Sequence, residues 1–247
     1  MKYFDAHNHL QNYAADAEEA AAMAAASSAG VAGMLCCGTS PEDWGKVLEL
    51  SGRYPGVVPA FGLHPWFSAE DGWQYRLEEF LRRVPAACVG EIGLDGAKGA
   101  AGQERDFLAQ LELARQFGRP AVIHCVKSWG RLLELLSAAG LSCFMLHAYG
   151  GSPEIVKAFA ELGGYFSFGG ELKDPRREKL KAALAAVPPE RLLFETESPE
   201  GDAPGWRSGP AGVAEVVEIS AAVLGRSAED MAELSVANAA RFLSGKR

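Results

Sequence analysis

Two histidines one residue apart, His7 and His9, stand near the start of a chain that has five histidines in all. In an extended strand the side chains at i and i+2 point the same way, so this pair projects from one face and can pinch a metal ion. Asp5 lies one pleat back on that side and is expected to accept a ring N–H. The remaining histidines, His64, His124 and His147, each stand at or just after the end of a short apolar run. Two acidic positions fall in comparable places. Glu91 sits inside Val89-Gly90-Glu91-Ile92-Gly93, and Glu195 and Glu197 follow Leu193-Phe194. An acid in so apolar a run as the first needs a partner, and a metal ion is an economical one.

Four histidines with a bridging carboxylate make the ligand set of a two-ion hydrolase, with the ions roughly 3.5–4 Å apart. Nitrogen and oxygen donors without thiolate suit Zn, Mn, Co or Ni better than Mg alone, although Mg stays within the range considered. Cys125 follows His124 directly and is expected to face away along its strand. The expected cofactor is therefore two divalent ions.

These residues meet only if the elements carrying them converge. Eight apolar runs recur along the chain, Tyr3–Ala6, Val31–Cys36, Val57–Gly62, Ala87–Ile92, Ala121–Ile123, Cys143–Leu146, Gly164–Phe168 and Leu192–Phe194. Their spacing suits strand–loop–helix–loop units, and continuous apolarity suits parallel strands buried on both faces. Ser40-Pro41, Ser152-Pro153 and Asp174-Pro175 read as helix starts, and Gly118 as a helix stop. Eight such units in 247 residues predict an α/β fold, a (β/α)8 TIM barrel in a single domain over 1–247, whose strand ends share one face. An open doubly wound sheet is the competitor. The lack of a G-x-G-x-x-G turn after the first strand argues against a dinucleotide-binding form of it.

Composition narrows the function. The formal charge is −8, which disfavours a protein that coats nucleic acid by neutralising phosphates. The five cysteines include no C-x-x-C pair, so they read as reduced thiols in a cytoplasmic protein. No signal peptide or membrane span is expected, and no obligate protein partner is inferred.

Taken in order, Asp5-Ala-His7-Asn-His9, Gly62-Leu-His64-Pro65, Gly90-Glu91-Ile-Gly-Leu-Asp95, Ile123-His124, Leu146-His147 and Glu195-Thr-Glu197-Ser-Pro199 resemble the TatD family of metal-dependent hydrolases of the amidohydrolase type. Several members are deoxyribonucleases. Ala237-Asn238-Ala239-Ala240-Arg241-Phe242 is a fainter echo. The resemblance implies a first ion on His7 and His9, a second on His124 and His147, and Glu91 between them. It places His64 over the substrate phosphate, Asp95 behind Glu91, and a metal-binding general base at Glu197. The family usually has aspartate at this last position. It also commonly carries an arginine two residues after the fifth-strand histidine, where this chain has Val126 and then Lys127. Arg207 is the remnant of an arginine-rich loop after strand eight.

The function expected is phosphodiester hydrolysis, as in a TatD-type deoxyribonuclease or exonuclease, acting on DNA or a small phosphodiester. A water between the ions drops in pKa from 15.7 towards roughly 7, so hydroxide is available at neutral pH. Glu197 takes the proton, while His64 with Lys127 or Arg207 orients the substrate. Trp66, Trp129 and Trp206 are expected to line the mouth. Trp44 and Trp73 read as packing. The alternatives are a hydrolase of a small ester, lactone or amide, and a weakly active metal-binding homologue in which Glu197 blunts catalysis.

Overall fold

A strand flanked on both faces by side chains has no wet side, and the eight apolar runs form such strands in a computed structural model described over residues 1–68, 70–199 and 209–245. They are β1 (Tyr3–Asn8), β2 (Val31–Cys37), β3 (Val57–Phe61), β4 (Cys88–Asp95), β5 (Ala121–Val126), β6 (Phe144–Leu146), β7 (Gly164–Phe168) and β8 (Leu192–Phe194). All are parallel and hydrogen-bonded in sequence order. The helices between them are α1 (Asp16–Ser28), α2 (Trp44–Arg53), α3 (Trp73–Arg83), α4 (Gln103–Phe117), α5 (Trp129–Ala139), α6 (Pro153–Glu161) and α7 (Glu178–Ala186). Then α8 (Val213–Leu224) and α9 (Ala228–Leu243) complete the chain. This is the TIM-barrel architecture. Among the described residues no helix is long and apolar enough to cross a membrane.

The last seam is joined differently from the others. Glu197 N–H donates to the His7 carbonyl at 3.1 Å and His9 N–H to the Ser198 carbonyl at 2.7 Å. Beside them Asp5 accepts the Thr196 backbone N–H at 2.9 Å and its hydroxyl at 2.7 Å. The barrel thus closes next to the residues that matter most for chemistry.

Two apolar layers follow from strand alternation. Ala6, Leu35, Ala60, Cys88, Val122, Met145, Tyr165 and Leu193 fill the inside of the barrel. The opposite faces of the strands meet the helices through residues such as Val47, Leu77, Phe107, Leu132, Val156 and Val216. The floor is plugged by α9. Phe242 meets the Tyr165 ring edge-on at 5.5 Å, and buried Asn238 donates to the carbonyls of Pro189 and Leu192 at 2.7 and 2.8 Å. The Ala237–Phe242 echo is therefore floor structure, remote from the histidines.

Sequence patterning marks the helix ends unevenly. Pro153 opens α6 and Gly118, at φ 62°, closes α4 as expected. Ser40-Pro41 does not start α2. There Asp43 accepts from the Thr39 and Ser40 backbone and closes a turn, and the helix begins at Trp44. Asp174 likewise holds Arg176 at the foot of a turn, and α7 starts only at Glu178.

Candidate metal centre

Four side chains meet where β1, β4 and the end of β8 converge. His7 Nε2 and His9 Nε2 are 3.1 Å apart. Glu91 Oε2 lies 3.3 Å from the first and 3.4 Å from the second. Glu197 places Oε2 3.4 Å from His7 Nε2 and Oε1 3.3 Å from His9 Nε2. His9 is oriented by its other nitrogen, Nδ1, 2.7 Å from the Cys37 carbonyl. Since a carbonyl only accepts, Nδ1 carries a proton, and Nε2, facing the cluster, is the atom whose lone pair an ion would take in exchange for a proton.

The other oxygen of Glu91 faces a second group. Oε1 lies 2.8 Å from His147 Nε2, 3.0 Å from His124 Nδ1 and 3.1 Å from His64 Nε2. His124 Nδ1 and His147 Nε2 are 3.3 Å apart. One carboxylate is thus divided between two histidine clusters. His64 differs from the others, because the Trp66 backbone N–H donates to its Nδ1 at 3.1 Å. Its proton must then sit on Nε2, which makes that atom a donor and not a metal ligand. Burial lowers the pKa of His64 below the ordinary value despite Glu91 nearby, which keeps it neutral.

The supporting residues depart from expectation in two places. Asp5 does not touch a histidine ring; it accepts from Asn8 and Thr196. The cause is an irregular register, with Asp5 opposite Met34 but Asn8 opposite Cys36, so the side-chain alternation breaks between them. Asp95 backs His124, not Glu91. Its Oδ2 lies 3.4 Å from His124 Nε2 and accepts the Trp66 indole N–H at 2.5 Å. Both β4 and β5 run about one turn of the pleat beyond their apolar cores, so Asp95 and His124 are strand residues. Glu195 accepts the Ala148 N–H at 2.7 Å and the Ser167 hydroxyl, and its Oε1 also lies 3.8 Å from His147 Nδ1. Cys125 lies at the wall with its thiol pushed up to about 12 by burial, and it joins none of the convergent groups.

Whether these donors suit divalent ions can be tested on their spacing and charge. Four donors held tetrahedrally at about 2.0–2.1 Å stand roughly 3.3–3.4 Å from one another. The separations among His7 Nε2, His9 Nε2 and Glu91 Oε2, 3.1 to 3.4 Å, match, and Glu197 brings one oxygen to each histidine at 3.4 and 3.3 Å. Glu197 Oε2 and the Nδ1 atoms of His7 and His147 are buried without a hydrogen-bond partner. A buried carboxylate oxygen lacking a donor calls for a cation. Protonation tells the same story. Burial would depress His9 and His147, yet Glu197 and Glu91 on one and Glu91, Glu195 and Glu197 on the other hold both well above their ordinary range. Burial would raise Glu91 and Glu197, yet the surrounding imidazoles draw both well below theirs. The cluster demands positive charge, and the donors fit a divalent metal.

The cluster lies at the bottom of a cavity of ≈ 720 Å³ whose walls include Trp66, Phe67, Lys98, Lys127, Trp129 and Glu171. Of the mouth residues expected from sequence, Lys127, Trp66 and Trp129 are here. Arg207 and Trp206 lie outside the described residues. Lys98 and Phe67 were not foreseen, since they come from loops with no periodicity. The expected packing role of Trp44 and Trp73 holds, since both are buried in the helix layer.

A sequence profile of the TatD related DNase family matches residues 4–244. The 3'-5' ssDNA/RNA exonuclease TatD of Edwardsiella piscicida is 37% identical over 191 residues, 72% of either chain. The uncharacterized metal-dependent hydrolase YjjV of Escherichia coli K12 is 30% identical over 217 residues, 85% of this chain and 84% of its own. The crystal structure of that TatD homolog superposes with a TM-score of 0.90 at 27% identity, covering 98% of this chain and 97% of the other. With its barrel, its divided carboxylate and its nitrogen–oxygen donor set, the chain belongs to the TatD family and is a metal-dependent hydrolase of ester bonds.

Proposed function

We propose that this chain hydrolyses phosphodiester bonds of nucleic acid, taking a single strand from its end, with two divalent ions in the barrel mouth. His7, His9, Glu91 and Glu197 would hold one ion, and Glu91, His124 and His147 the other. The observation that carries this reading is the division of Glu91, one oxygen to each histidine cluster, at the foot of a cavity walled by aromatic rings and ammonium groups. The TatD relatives named as 3'-5' ssDNA/RNA exonucleases support a single-stranded nucleic acid as the substrate. Nitrogen-rich donors favour Zn, Mn, Co or Ni. Five free, buried cysteines support a cytoplasmic location.

Bound there, the ions supply positive charge for the phosphoryl oxygens and make water acidic enough to ionise near neutrality. The protein's residues do the rest. Glu197, ionised and carrying an unpartnered buried oxygen, takes the proton of the attacking water and passes it to the departing hydroxyl. His64, whose Nε2–H faces Glu91 Oε1 at 3.1 Å, would turn that proton to a phosphoryl oxygen when substrate enters. Lys127, on the wall, adds charge where the pentavalent centre forms.

Glu91→Gln is the decisive variant. Elemental analysis should find the ions depleted, and turnover of an end-labelled single strand should fall by more than about a hundredfold, the most that losing a mere supporting residue costs. Full metal content with full turnover in that variant would overturn the reading.

A further inference from the structure

We infer that Lys98 binds a backbone phosphate next to the one being cleaved, and that Trp66 positions its ammonium for this; the inference rests on the phosphodiesterase reading for the identity of the ligand. Lysine is usually a mobile surface charge on a flexible stem. Here its loop is fixed at several points. Asp95 Oδ1 accepts the Ala97 and Lys98 backbone N–H groups at 2.7 and 2.9 Å. Gly99 N–H returns to the Asp95 carbonyl at 2.9 Å, and Ala100 N–H reaches the Pro65 carbonyl at 2.7 Å. That last bond ties the Lys98 loop to the residue before Trp66.

The side chain is directed as well. Lys98 Nζ lies over the Trp66 ring, 4.5 Å from its centroid, in a cation–π contact. The ring in turn is held by its indole N–H on Asp95. One carboxylate therefore sets the ammonium, the ring beneath it and the His124 imidazole in mutual register.

The surroundings specify a nucleotide. Lys98 and Trp66 both line the cavity that ends at Glu91 and His64, so a phosphate beside the reacting one falls within the same cavity. Trp66 and Phe67, 45% and 44% exposed, are adjacent and are two of the five exposed large apolar side chains among the described residues. Exposed rings next to a fixed ammonium suit a base and its phosphate together. On a chain of formal charge −8, an ammonium fixed at the mouth is set against the prevailing charge, as a local anion contact requires.

The test is binding of a short fluorescent single-stranded DNA with phosphorothioate linkages to the Mn²⁺-loaded full chain, followed by anisotropy between about 50 and 200 mM salt. Lys98→Gln should weaken binding severalfold at low salt and reduce the slope of log Kd against log salt by about 0.7, the increment for one phosphate on a single strand. Lys98→Arg should restore both, because guanidinium also binds phosphate and stacks on an indole. In a Trp66→Leu background, Lys98→Gln should cost less than in the native chain. A slope and affinity unchanged by Lys98→Gln would overturn the inference. If the native chain binds the strand with the Lys98-dependent slope but fails to cleave its ordinary phosphodiester counterpart, the functional reading falls and the Lys98 contact stands. Cleavage with no Lys98 dependence means the reverse, and a strand neither bound nor cleaved removes both.

Discussion

Glu197 takes a left-handed backbone conformation, φ 58°, as do Lys127 at 53° and Ala148 at 42°. Such angles are uncommon for residues with a side chain and cost on the order of 1–3 kcal/mol when imposed. All three residues line the cavity, at the ends of β8, β5 and β6. The bend at Glu197, fixed by its N–H on the His7 carbonyl, answers how a side chain longer than aspartate fits at this position. The carboxylate reaches His7 and His9 at 3.4 and 3.3 Å, and His147 at 3.6 Å. Aspartate is more at home in the left-handed region than glutamate, so Glu197→Asp should leave thermal stability equal or higher. Its carboxylate would be withdrawn by one methylene, and kcat/KM should drop about a hundredfold, the cost of an ångström of misplacement. A rise in kcat/KM would mean that Glu197 obstructs the site, the weakly active alternative.

At the scale of elements, β4 carries the bridging carboxylate and can do so only because glycines flank it. A Cβ on Gly90 would stand 2.6 Å from the Val122 Cβ, and one on Gly93, at φ 152°, 2.0 Å from the His124 carbonyl oxygen. Neither obstacle is a flexible side-chain tip. Gly93→Ala should therefore destabilise by at least the upper end of about 1–3 kcal/mol, seen as a lower urea midpoint in metal-free protein. The floor element is testable separately. Asn238→Ala strips the buried Leu192 carbonyl and the Pro189 carbonyl of their donor and should cost roughly 1–3 kcal/mol while leaving the metal content of the folded protein unchanged. These two elements also show what a sequence discloses. Strand cores were legible from continuous apolarity, and the clash-avoiding glycines around Glu91 were legible from type alone. The polar extensions of β4 and β5 were not, because Asp95 and His124 read as loop residues until their ladder partners are known. Asp5 misled for a related reason. Alternation holds only while register does, and the irregularity in β1 is set by pairing with β2. Lys98 and Phe67 sit in loops, the first held by its N–H on Asp95 and the second by its N–H on the His64 carbonyl, bonds that no spacing rule encodes.

For the whole molecule, the centre concentrates buried charge that folding alone does not balance. Without metal, His9 and His147 are held well above their ordinary range and Glu91 and Glu197 well below theirs, so protonated imidazoles take the part of the cations. The sign of the pH dependence follows. A histidine raised on folding stabilises fully below its unfolded pKa of about 6.5, and that contribution is lost as pH rises through the raised folded value. The lowered carboxylates lose their contribution only in acid, far from neutrality. Stripped protein should thus weaken as pH rises above neutral, whereas divalent ions compete better as protons become scarce. Saturation at a hundred times Kd is worth about 2.7 kcal/mol for one site, and in a chain of this size that is roughly 5–10 °C of Tm. Chelation should lower Tm by at least that much, and the gap between loaded and stripped protein should widen as pH is raised. Calorimetric titration of Mn²⁺ or Zn²⁺ at neutral pH, repeated in buffers of different ionisation enthalpy, should register proton release from those two imidazoles. A gap that fails to widen with rising pH would mean that the histidines are already neutral in the stripped barrel, and that protonated imidazoles do not stand in for the cations beside Glu91 and Glu197.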